Sequence, residues 1–493
     1  MKKWPRHPVI YEINTWIWLQ EMGRKYGCQM TLDSVPAVEW DAVTWPGIDA
    51  VWLMGVWERS AAGLGVALKN ERLVEEFFKA LPDLSFEEVI GSAYCVKNYS
   101  VDIRLGGPEG LAAARCELRK RGVRLILDFV PNHLAIDHLW VTEHPEYFIH
   151  GDFEDAARDP VSFTEVNGEV FACGRDPFFP AWQDVLQLNA FHPKLRQALI
   201  ETACDIARQC DGMRCDMAML VLNSVFRNTW GDRAGPQPVD EFWTQVIQGV
   251  RRKHPRVLFV AEAYWDLEWE LQQQGFDFCY DKRLYDRLVH DSPESVRMHL
   301  LADLSYQERL LRFIENHDEP RAAAVFQQGR IRAAAVASST LPGARLFHEG
   351  QFEGRNVRIP VFLTRRPEER IDPELHHFYR HLIDALRSEP LKNGQWELCD
   401  RSGWRDNPTC SNLVAWCWRK ADERLCIVVN LSGTRSQALV RIPWNDIRDR
   451  QCVLEDAFTG ETFDRDGNIM LDPGLFVDLD AWAFHFLRLV KSR

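Results

Sequence analysis

From residue 9 to about residue 390, short apolar runs alternate with longer amphipathic segments. This alternation predicts repeated βα units and a parallel sheet. The apolar runs are eight in number: Val9 to Asn14, Ile48 to Met54, Val123 to Phe129, Gly212 to Asp216, Arg256 to Glu262, Phe276 to Tyr280, Leu310 to Asn316 and Ala344 to His348. The helical patterns between them include Pro108 to Arg121, Pro193 to Gln209, Val239 to Lys253 and Pro373 to Arg387. Eight strands with helices between them predict an α/β fold, a (β/α)8 TIM barrel.

The chain also has two long predicted loops, and its pattern of apolar and polar residues changes near residue 393. The loops, 56–106 and 134–189, each follow a predicted strand, and barrel enzymes build their sites from such loops. Beyond residue 393 the chain consists of strand-like runs separated by turns, which predicts an antiparallel β-sandwich. The predicted domains are therefore a barrel at 1–133 and 190–390, an inserted domain at 134–189 and a C-terminal β-sandwich at 393–493.

The amino-acid composition indicates which binding partners and which cellular compartment to expect. The chain has 59 Lys and Arg against 72 Asp and Glu, a formal charge of -13, which argues against nucleic-acid or membrane partners. Its 13 cysteines include no CxxC pair, which favours a reducing compartment. The N-terminal residues do not form a signal peptide, so we predict a cytoplasmic location. The sequence gives no prediction of oligomeric state.

Polar residues lie at or just beyond the ends of four predicted strands. These segments are Asp128-Phe-Val-Pro-Asn-His133, Gly212-Met-Arg-Cys-Asp216, Phe259-Val-Ala-Glu262 and Phe313-Ile-Glu-Asn-His-Asp318. Arg214 and Asp216 share one face of their strand because side chains alternate with a period of two. The guanidinium predicts a lowered pKa for Asp216, whereas the apolar approach to Glu262 predicts a pKa raised by desolvation. Two carboxyls separated in this way indicate a nucleophile and a general acid/base.

The four segments, in this order, resemble the short motifs of glycoside hydrolase family 13, the α-amylase family. Tyr94 to Tyr99, Val101 to Gly107, Gln187 to Asn189 and Val429 to Gly433 resemble further segments of that family. The resemblance thus covers essentially the whole chain. It implies that Asp216 is the nucleophile, Glu262 the acid/base, and Asp318 the carboxylate that holds the 2- and 3-hydroxyls of the reacting sugar.

The same resemblance implies supporting roles for five other residues. Arg214 would position Asp216, and Asp128 would support the site structurally through Arg214. His133 and His317 would bind hydroxyls of the reacting sugar, and Tyr94 would stack beneath its ring.

The chain departs from the family pattern at several positions. Met219 and Leu220 stand where typical α-amylases have Lys and His in the leaving-group subsites, which argues against an ordinary endo-amylase. Cys95 stands where exo-acting α-glucosidases usually have Asp, which argues against that group as well. Asn132 occupies the position of a family calcium ligand, but the remaining ligands are not evident, so structural and metal roles both stay open. The predicted chemistry requires no cofactor.

The predicted function is that of a retaining glycoside hydrolase acting on α-glucosidic bonds of malto-oligosaccharides or related α-glucosides. One alternative is a transglycosylase or isomerase on the same scaffold, favoured by the apolar Met219 and Leu220. A second is a non-catalytic glucan-binding subunit, which the presence of all three carboxylates argues against.

Overall fold

The computed structural model describes residues 3–327 and 329–492. Its strands, in chain order, are β1 (Val9–Asn14), β2 (Ala50–Met54), β3 (Trp57–Arg59), β4 (Val96–Val101), β5 (Arg124–Phe129), β6 (His133–Ala135), β7 (Phe163–Val166), β8 (Glu169–Gly174), β9 (Trp182–Gln187), β10 (Gly212–Cys215), β11 (Leu258–Ala261), β12 (Phe278–Tyr280), β13 (Leu310–Arg312), β14 (Ala344–His348), β15 (Gln395–Leu398), β16 (Arg401–Ser402), β17 (Leu413–Lys420), β18 (Glu423–Asn430), β19 (Ser436–Val440), β20 (Gln451–Asp456), β21 (Thr462–Asp466), β22 (Leu475–Leu479) and β23 (Phe484–Ser492).

Its α-helices are α1 (Thr15–Tyr26), α2 (Ala37–Val43), α3 (Ala61–Ala67), α4 (Glu71–Ala80), α5 (Gly107–Lys120), α6 (Trp140–Glu143), α7 (Phe153–Arg158), α8 (Pro193–Gln209), α9 (Asn223–Trp230), α10 (Phe242–Lys253), α11 (Glu268–Gln273), α12 (Lys282–His290), α13 (Pro293–His299), α14 (Leu304–Gln307), α15 (Ala322–Val325), α16 (Arg330–Ser339), α17 (Pro373–Ala385), α18 (Glu389–Asn393) and α19 (Gly467–Ile469). None of the helices among the described residues has the length and apolar character that a membrane crossing requires.

Eight parallel strands close into a barrel in the order β1-β14-β13-β12-β11-β10-β5-β2. The predicted (β/α)8 fold is therefore confirmed, although several strands are shorter than predicted. The run predicted to extend from Leu310 to Asn316 ends at Arg312. Beyond it, the Asn316 side-chain oxygen accepts hydrogen bonds of 2.9 Å from the backbone N–H groups of Asp318 and Glu319. This Asx turn bends the chain away from the barrel ladder and presents Asp318 at its rim.

Two insertions after barrel strands build the rim on one side. Residues 56–106 contain α3, α4 and the hairpin of β3 and β4. Residues 133–187 contain a four-stranded antiparallel sheet in the order β6-β9-β8-β7. Both insertions leave the carboxyl ends of their strands, which is where a barrel carries its site.

The C-terminal region is an antiparallel sandwich of a six-stranded and a three-stranded sheet. Alternate residues of β17 face opposite sides, as strand geometry requires. Trp416 and Trp418 join the hydrophobic core of the barrel, whereas Ala415 and Cys417 join the core of the sandwich. The Trp418 indole also donates a 2.7 Å hydrogen bond to the carbonyl of Thr340. One strand therefore packs in both cores and fixes the sandwich on the barrel.

Gly343 provides a test of barrel packing. Its φ is +106°, and a Cβ added there would lie 2.2 Å from the Leu310 carbonyl oxygen, whereas Gly122, with φ of +75°, has no atom within 4 Å of an added Cβ. We expect Gly343→Ala to lower the free energy of unfolding by about 3 kcal/mol or more, because backbone must move. Gly122→Ala, the matched control, should cost only about 1 kcal/mol from its left-handed backbone. Thermal unfolding followed by circular dichroism measures both, and equal melting temperatures for the two variants would contradict the argument.

Candidate active site

Arg214 lies at the centre of the site and is 1% exposed. One of its terminal nitrogens donates to Asp216 Oδ1 at 2.7 Å, and the other lies 2.8 Å from Glu262 Oε2. The guanidinium also lies 5.0 Å from the ring centre of Tyr94 and 5.3 Å from that of Trp52. A single buried cation therefore joins the two carboxyls and is enclosed by aromatic rings, an arrangement that fixes both carboxyls in position.

Glu262 follows β11 and is held by two further donors. The backbone N–H of Met217 donates to its Oε2 at 2.6 Å, and the Tyr264 hydroxyl donates to its Oε1 at 2.9 Å. Met217 adopts a left-handed backbone with φ of 41°, which turns the chain directly after Asp216. This turn directs the backbone N–H that follows Asp216 onto the Glu262 carboxyl.

Asp318 stands at the open side of the site, with 43% of its side chain exposed. His317 Nε2 lies 3.0 Å from Asp318 Oδ2 and 2.8 Å from the Tyr94 hydroxyl. The other ring nitrogen of His317 contacts Glu12, which lies within β1 and is fully buried. Glu12 therefore orients His317, and His317 in turn joins Asp318 to Tyr94.

His133 and Asp128 lie on either side of this group. Asp128, at the end of β5, lies 3.6 Å from Arg214 and accepts hydrogen bonds from the Trp52 indole and the Gly55 N–H. His133 begins β6, and its ring centre is 5.1 Å from that of Trp182. It is hydrogen-bonded to the backbone of Tyr94, and burial lowers its pKa to about 4, so it is neutral near pH 7.

Burial sets the protonation of the two central carboxyls. Desolvation raises the pKa of Glu262 to about 7, against the opposing charge of Arg214. Desolvation likewise raises the pKa of Asp216 to about 6, and Arg214 only limits the increase. The predicted lowering of the Asp216 pKa is therefore wrong. The cause is that Asp216 is only 5% exposed and shares the Arg214 guanidinium with Glu262. The pKa of Glu262 is still the higher of the two, as expected.

Asp318 and His317 behave differently because they pair with each other. Desolvation opposes the charged form of Asp318, but the His317 charge and hydrogen bond outweigh it and lower the pKa of Asp318 to about 2. For His317, burial would lower the pKa, but Asp318 and Glu12 together raise it well above its usual range. The site thus contains a stable ion pair beside two carboxyls that titrate near neutrality.

The departures from the family pattern occupy unexpected positions. Met219 and Leu220 lie in a 3₁₀ turn and are 0% and 4% exposed, packed in the barrel core. The expectation that they face leaving-group subsites is wrong, because the turn after Met217 directs them inward. Cys95 is also buried, and its thiol donates to the carbonyl of Asp184 at 3.1 Å.

The Asn132 side chain is hydrogen-bonded to Gln187. Its amide oxygen accepts from Gln187 Nε2 at 3.0 Å, and its amide nitrogen donates to Gln187 Oε1 at 3.4 Å. Within 3–327 and 329–492, the His, Cys, Asp and Glu side chains form no group of three or more arranged to hold a metal. Calcium is also bound by amide and backbone oxygens, so the role of Asn132 as a calcium ligand stays a prediction. We propose that Asn132 joins the barrel to the inserted domain.

Sequence reasoning missed Glu12 and Tyr264 as members of the site. Tyr264 is two residues beyond Glu262, and side chains two residues apart in an extended chain share a face, as Arg214 and Asp216 do. The sequence could therefore have placed Tyr264 beside Glu262. Glu12 is an acidic residue in an otherwise apolar run, which is a signal in itself, because a buried carboxyl needs a partner. The N–H of Met217 carries no sequence signal.

The family model described as "Alpha amylase, catalytic domain" matches residues 46–371. The chain belongs to the alpha-amylase family. This match spans more than half of the chain and includes Asp128, Asp216, Glu262 and Asp318, so the predicted family is confirmed.

Individual members of the alpha-amylase family are only distantly similar. "Alpha-amylase MalA" of Haloarcula japonica is 22% identical over 440 residues, which are 86% of this chain and 56% of that protein. "Alpha-1,4-glucan:maltose-1-phosphate maltosyltransferase" of Picrophilus torridus is 22% identical over 381 residues, 72% of this chain and 54% of that protein. The chain thus spans little more than half the length of these curated relatives. The structure of the maltogenic alpha-amylase AmyB from Thermotoga neapolitana matches over 99% of both chains, with a TM-score of 0.69 and 18% identity.

The pKa values of the pair predict the pH dependence of kcat/KM. The expected roles of nucleophile and general acid need Asp216 ionised and Glu262 protonated, so we expect a bell-shaped profile with apparent pKa values of about 6 and about 7. The rate falls on the acid side as Asp216 gains its proton and on the alkaline side as Glu262 loses its own. Steady-state kinetics with a malto-oligosaccharide measure the profile. The variant Glu262→Gln should lose the alkaline limb, and a wild-type profile that is flat from about pH 5 to about pH 8 contradicts the assignment.

Proposed function

We propose that this protein is a retaining glycoside hydrolase that cleaves α-glucosidic bonds of malto-oligosaccharides or related α-glucosides. The observation that carries the proposal is the Arg214 guanidinium, which is hydrogen-bonded to Asp216 and also forms an ion pair with Glu262. Retaining glycosidases hold their two carboxyls roughly 5 to 5.5 Å apart, and a shared guanidinium keeps the pair close. An inverting enzyme needs room for a water molecule between the carboxyl and the sugar.

In the first step, an Asp216 oxygen attacks the anomeric carbon while the glycosidic C–O bond breaks. Glu262, with the higher pKa, gives its proton to the departing oxygen. Asp216 is bonded to Arg214, which stabilises its ionised form for the attack.

In the second step, Glu262 as a carboxylate removes a proton from water, and the water oxygen attacks the anomeric carbon of the glycosyl-enzyme. The bond to Asp216 breaks, and two displacements leave the product with the α configuration of the substrate. The hydroxyl of Tyr264 and the N–H of Met217 stabilise the Glu262 carboxylate during this stage.

Asp318 is proposed to hold hydroxyls of the reacting sugar. It remains ionised because of His317, and its exposed face is available to substrate. Tyr94 presents an aromatic ring at the same place, since it is bonded to His317 and lies over Arg214. Flat apolar rings stack on sugar rings, so these residues fit the binding of one glucosyl unit.

The alternatives have less support. Transfer to a second sugar was favoured by Met219 and Leu220, and both are buried in the core, so that reason no longer applies. A non-catalytic binding subunit does not require a carboxyl pair that titrates near neutrality.

The proposed activity makes an oligosaccharide the proposed partner. The cytoplasmic location stays a prediction from the cysteine content and N-terminal sequence.

The anomer of the first product tests the retaining assignment. With maltotriose as substrate, proton NMR during the first minutes should show the α-anomer at the newly formed reducing end, before mutarotation. A parallel panel of maltose, starch, pullulan, trehalose and sucrose defines the linkage. Initial β-anomer would disprove the retaining mechanism, and transfer products exceeding free sugar would move the proposal to a transglycosylase.

A second test separates the roles of the two carboxyls. We expect Glu262→Gln to lower kcat on maltotriose by about 10² to 10⁴-fold, because the leaving group is no longer protonated. Compared as kcat/KM, which reports the first step and not the later step in which Glu262 acts as base, the loss should be much smaller on α-glucosyl fluoride, since fluoride leaves without a proton. Asp216→Asn, the matched variant, should be inactive on both substrates. Equal losses for Glu262→Gln on the two substrates contradict the acid assignment.

A further inference from the structure

His317 lies between two carboxylates that face opposite edges of its ring. Its Nδ1 lies 2.5 Å from Glu12 Oε1, and its Nε2 lies 3.0 Å from Asp318 Oδ2. An ionised carboxylate only accepts hydrogen bonds, so a ring nitrogen that bonds to one must carry a hydrogen. Neutral imidazole has one N–H group, whereas the charged ring has two. The geometry therefore matches the charged ring rather than either neutral form.

The two carboxylates differ in their surroundings. Asp318 is at the rim with 43% of its side chain exposed, whereas Glu12 is 0% exposed inside β1. Within residues 3–327 and 329–492, no Lys or Arg lies within ion-pair distance of Glu12, and His317 is its partner. A buried carboxylate is costly unless it is paired, so Glu12 and the charge on His317 depend on each other.

Other elements also place titratable or charged groups around His317. Tyr94 lies just before β4, Asp128 is on β5, and Arg214 of β10 lies on the far side of the Tyr94 ring. Asp128 responds to the histidine, because the charge of His317 helps to lower its pKa against the effect of burial. Among the carboxylates of the described residues, only Glu12 and Asp318 bond to the ring itself.

The charge on His317 decides the direction of its hydrogen bond with Tyr94. The Tyr94 hydroxyl lies 2.8 Å from Nε2, the same nitrogen that faces Asp318. When Nε2 carries a hydrogen, the Tyr94 oxygen accepts, and the hydroxyl hydrogen can be donated elsewhere. A neutral ring with its hydrogen on Nδ1 would reverse this bond. Its Nε2 lone pair would then face the Asp318 carboxylate and repel it.

A second buried histidine shows the effect of burial without such carboxylates. His133 is 5% exposed and His317 is 3% exposed. In the described part of the chain, His133 has no carboxylate within ion-pair distance, and burial lowers its pKa. For His317, Asp318 and Glu12 overcome the same effect and raise the pKa well above its usual range. Loss of Glu12 should therefore allow the charged ring to lose its proton at a lower pH.

We propose that Glu12 is a positioning residue that holds His317 in its doubly protonated form. In this form the Nε2–H group fixes Asp318, and the Tyr94 hydroxyl keeps its own hydrogen for an oxygen of the substrate. Glu12 is buried beneath the ring and acts only through it. The benefit to catalysis rests on the proposed function, whereas the charge of His317 does not.

NMR on the full chain tests the charge directly. Long-range proton–nitrogen correlation spectra report whether each histidine ring nitrogen carries a hydrogen, and His317→Asn identifies the signals. We expect both nitrogens of wild-type His317 to be protonated from about pH 5 to about pH 8. In Glu12→Gln one hydrogen should be lost between about pH 6 and about pH 8, because the ordinary pKa of histidine is about 6.5.

Glu268→Gln is the matched control. Glu268 is 2% exposed on α11 and does not contact His317, so this variant makes the same chemical change at an equally buried carboxyl. His317 should titrate in it as in the wild type. A wild-type Nδ1 without a hydrogen overturns the proposal, even if Glu12→Gln fails to fold. A His317 that stays doubly protonated in folded Glu12→Gln up to about pH 8 overturns it as well.

Kinetics with α-glucosyl fluoride test the consequence for catalysis. This substrate needs no proton from Glu262, so kcat/KM can report His317 on the alkaline side. Relative to wild type, Glu12→Gln should lose a further factor of about ten between about pH 6 and about pH 8, as its His317 loses charge. A loss that is the same at every pH indicates a structural role only and overturns the positioning role. An inactive wild type would refute the proposed function, and the NMR spectra would still decide the charge of His317.

Discussion

The interaction on which the site depends is the pairing of one buried guanidinium with two carboxyls. Arg214 is almost completely removed from water, and a charge in that position is costly unless it is paired and hydrogen-bonded. Asp216 and Glu262 provide the pairing, and the rings of Trp52, Tyr94 and Tyr280 enclose it. The same burial raises the pKa values of both carboxyls, so structural stability and acid/base chemistry have a common cause.

The barrel makes this arrangement possible through strand register. Arg214 on β10 is directly opposite Asp128 on β5 and Val260 on β11. Glu262 is two residues beyond Val260 and therefore projects from the same face of the sheet as Val260 and Arg214. Residues far apart in sequence meet because parallel strands end at one rim, and a shift of one residue would direct the side chain to the other face.

Sequence alone predicted the features that depend on periodicity. Eight strands, the sandwich and the polar strand ends are visible because alternation and motif order are local signals. The surroundings of each charged side chain could not be predicted from the sequence in the same way. A lowered pKa for Asp216 followed from its neighbour Arg214, but the degree of burial and the sharing of the guanidinium appear only in three dimensions. Met219 and Leu220 were misplaced for a similar reason, because the left-handed turn at Met217 has no sequence signature.

The two ends of the barrel also differ in the charge of their side chains, and the direction of the helices explains this difference. Helices of a (β/α)8 unit run antiparallel to the strands, so their C-termini and partial negative charges gather at the end where the strands begin. Cations in the last turns of α5 and α10 match this field, while Asp216, Glu262 and Asp318 occupy the opposite rim.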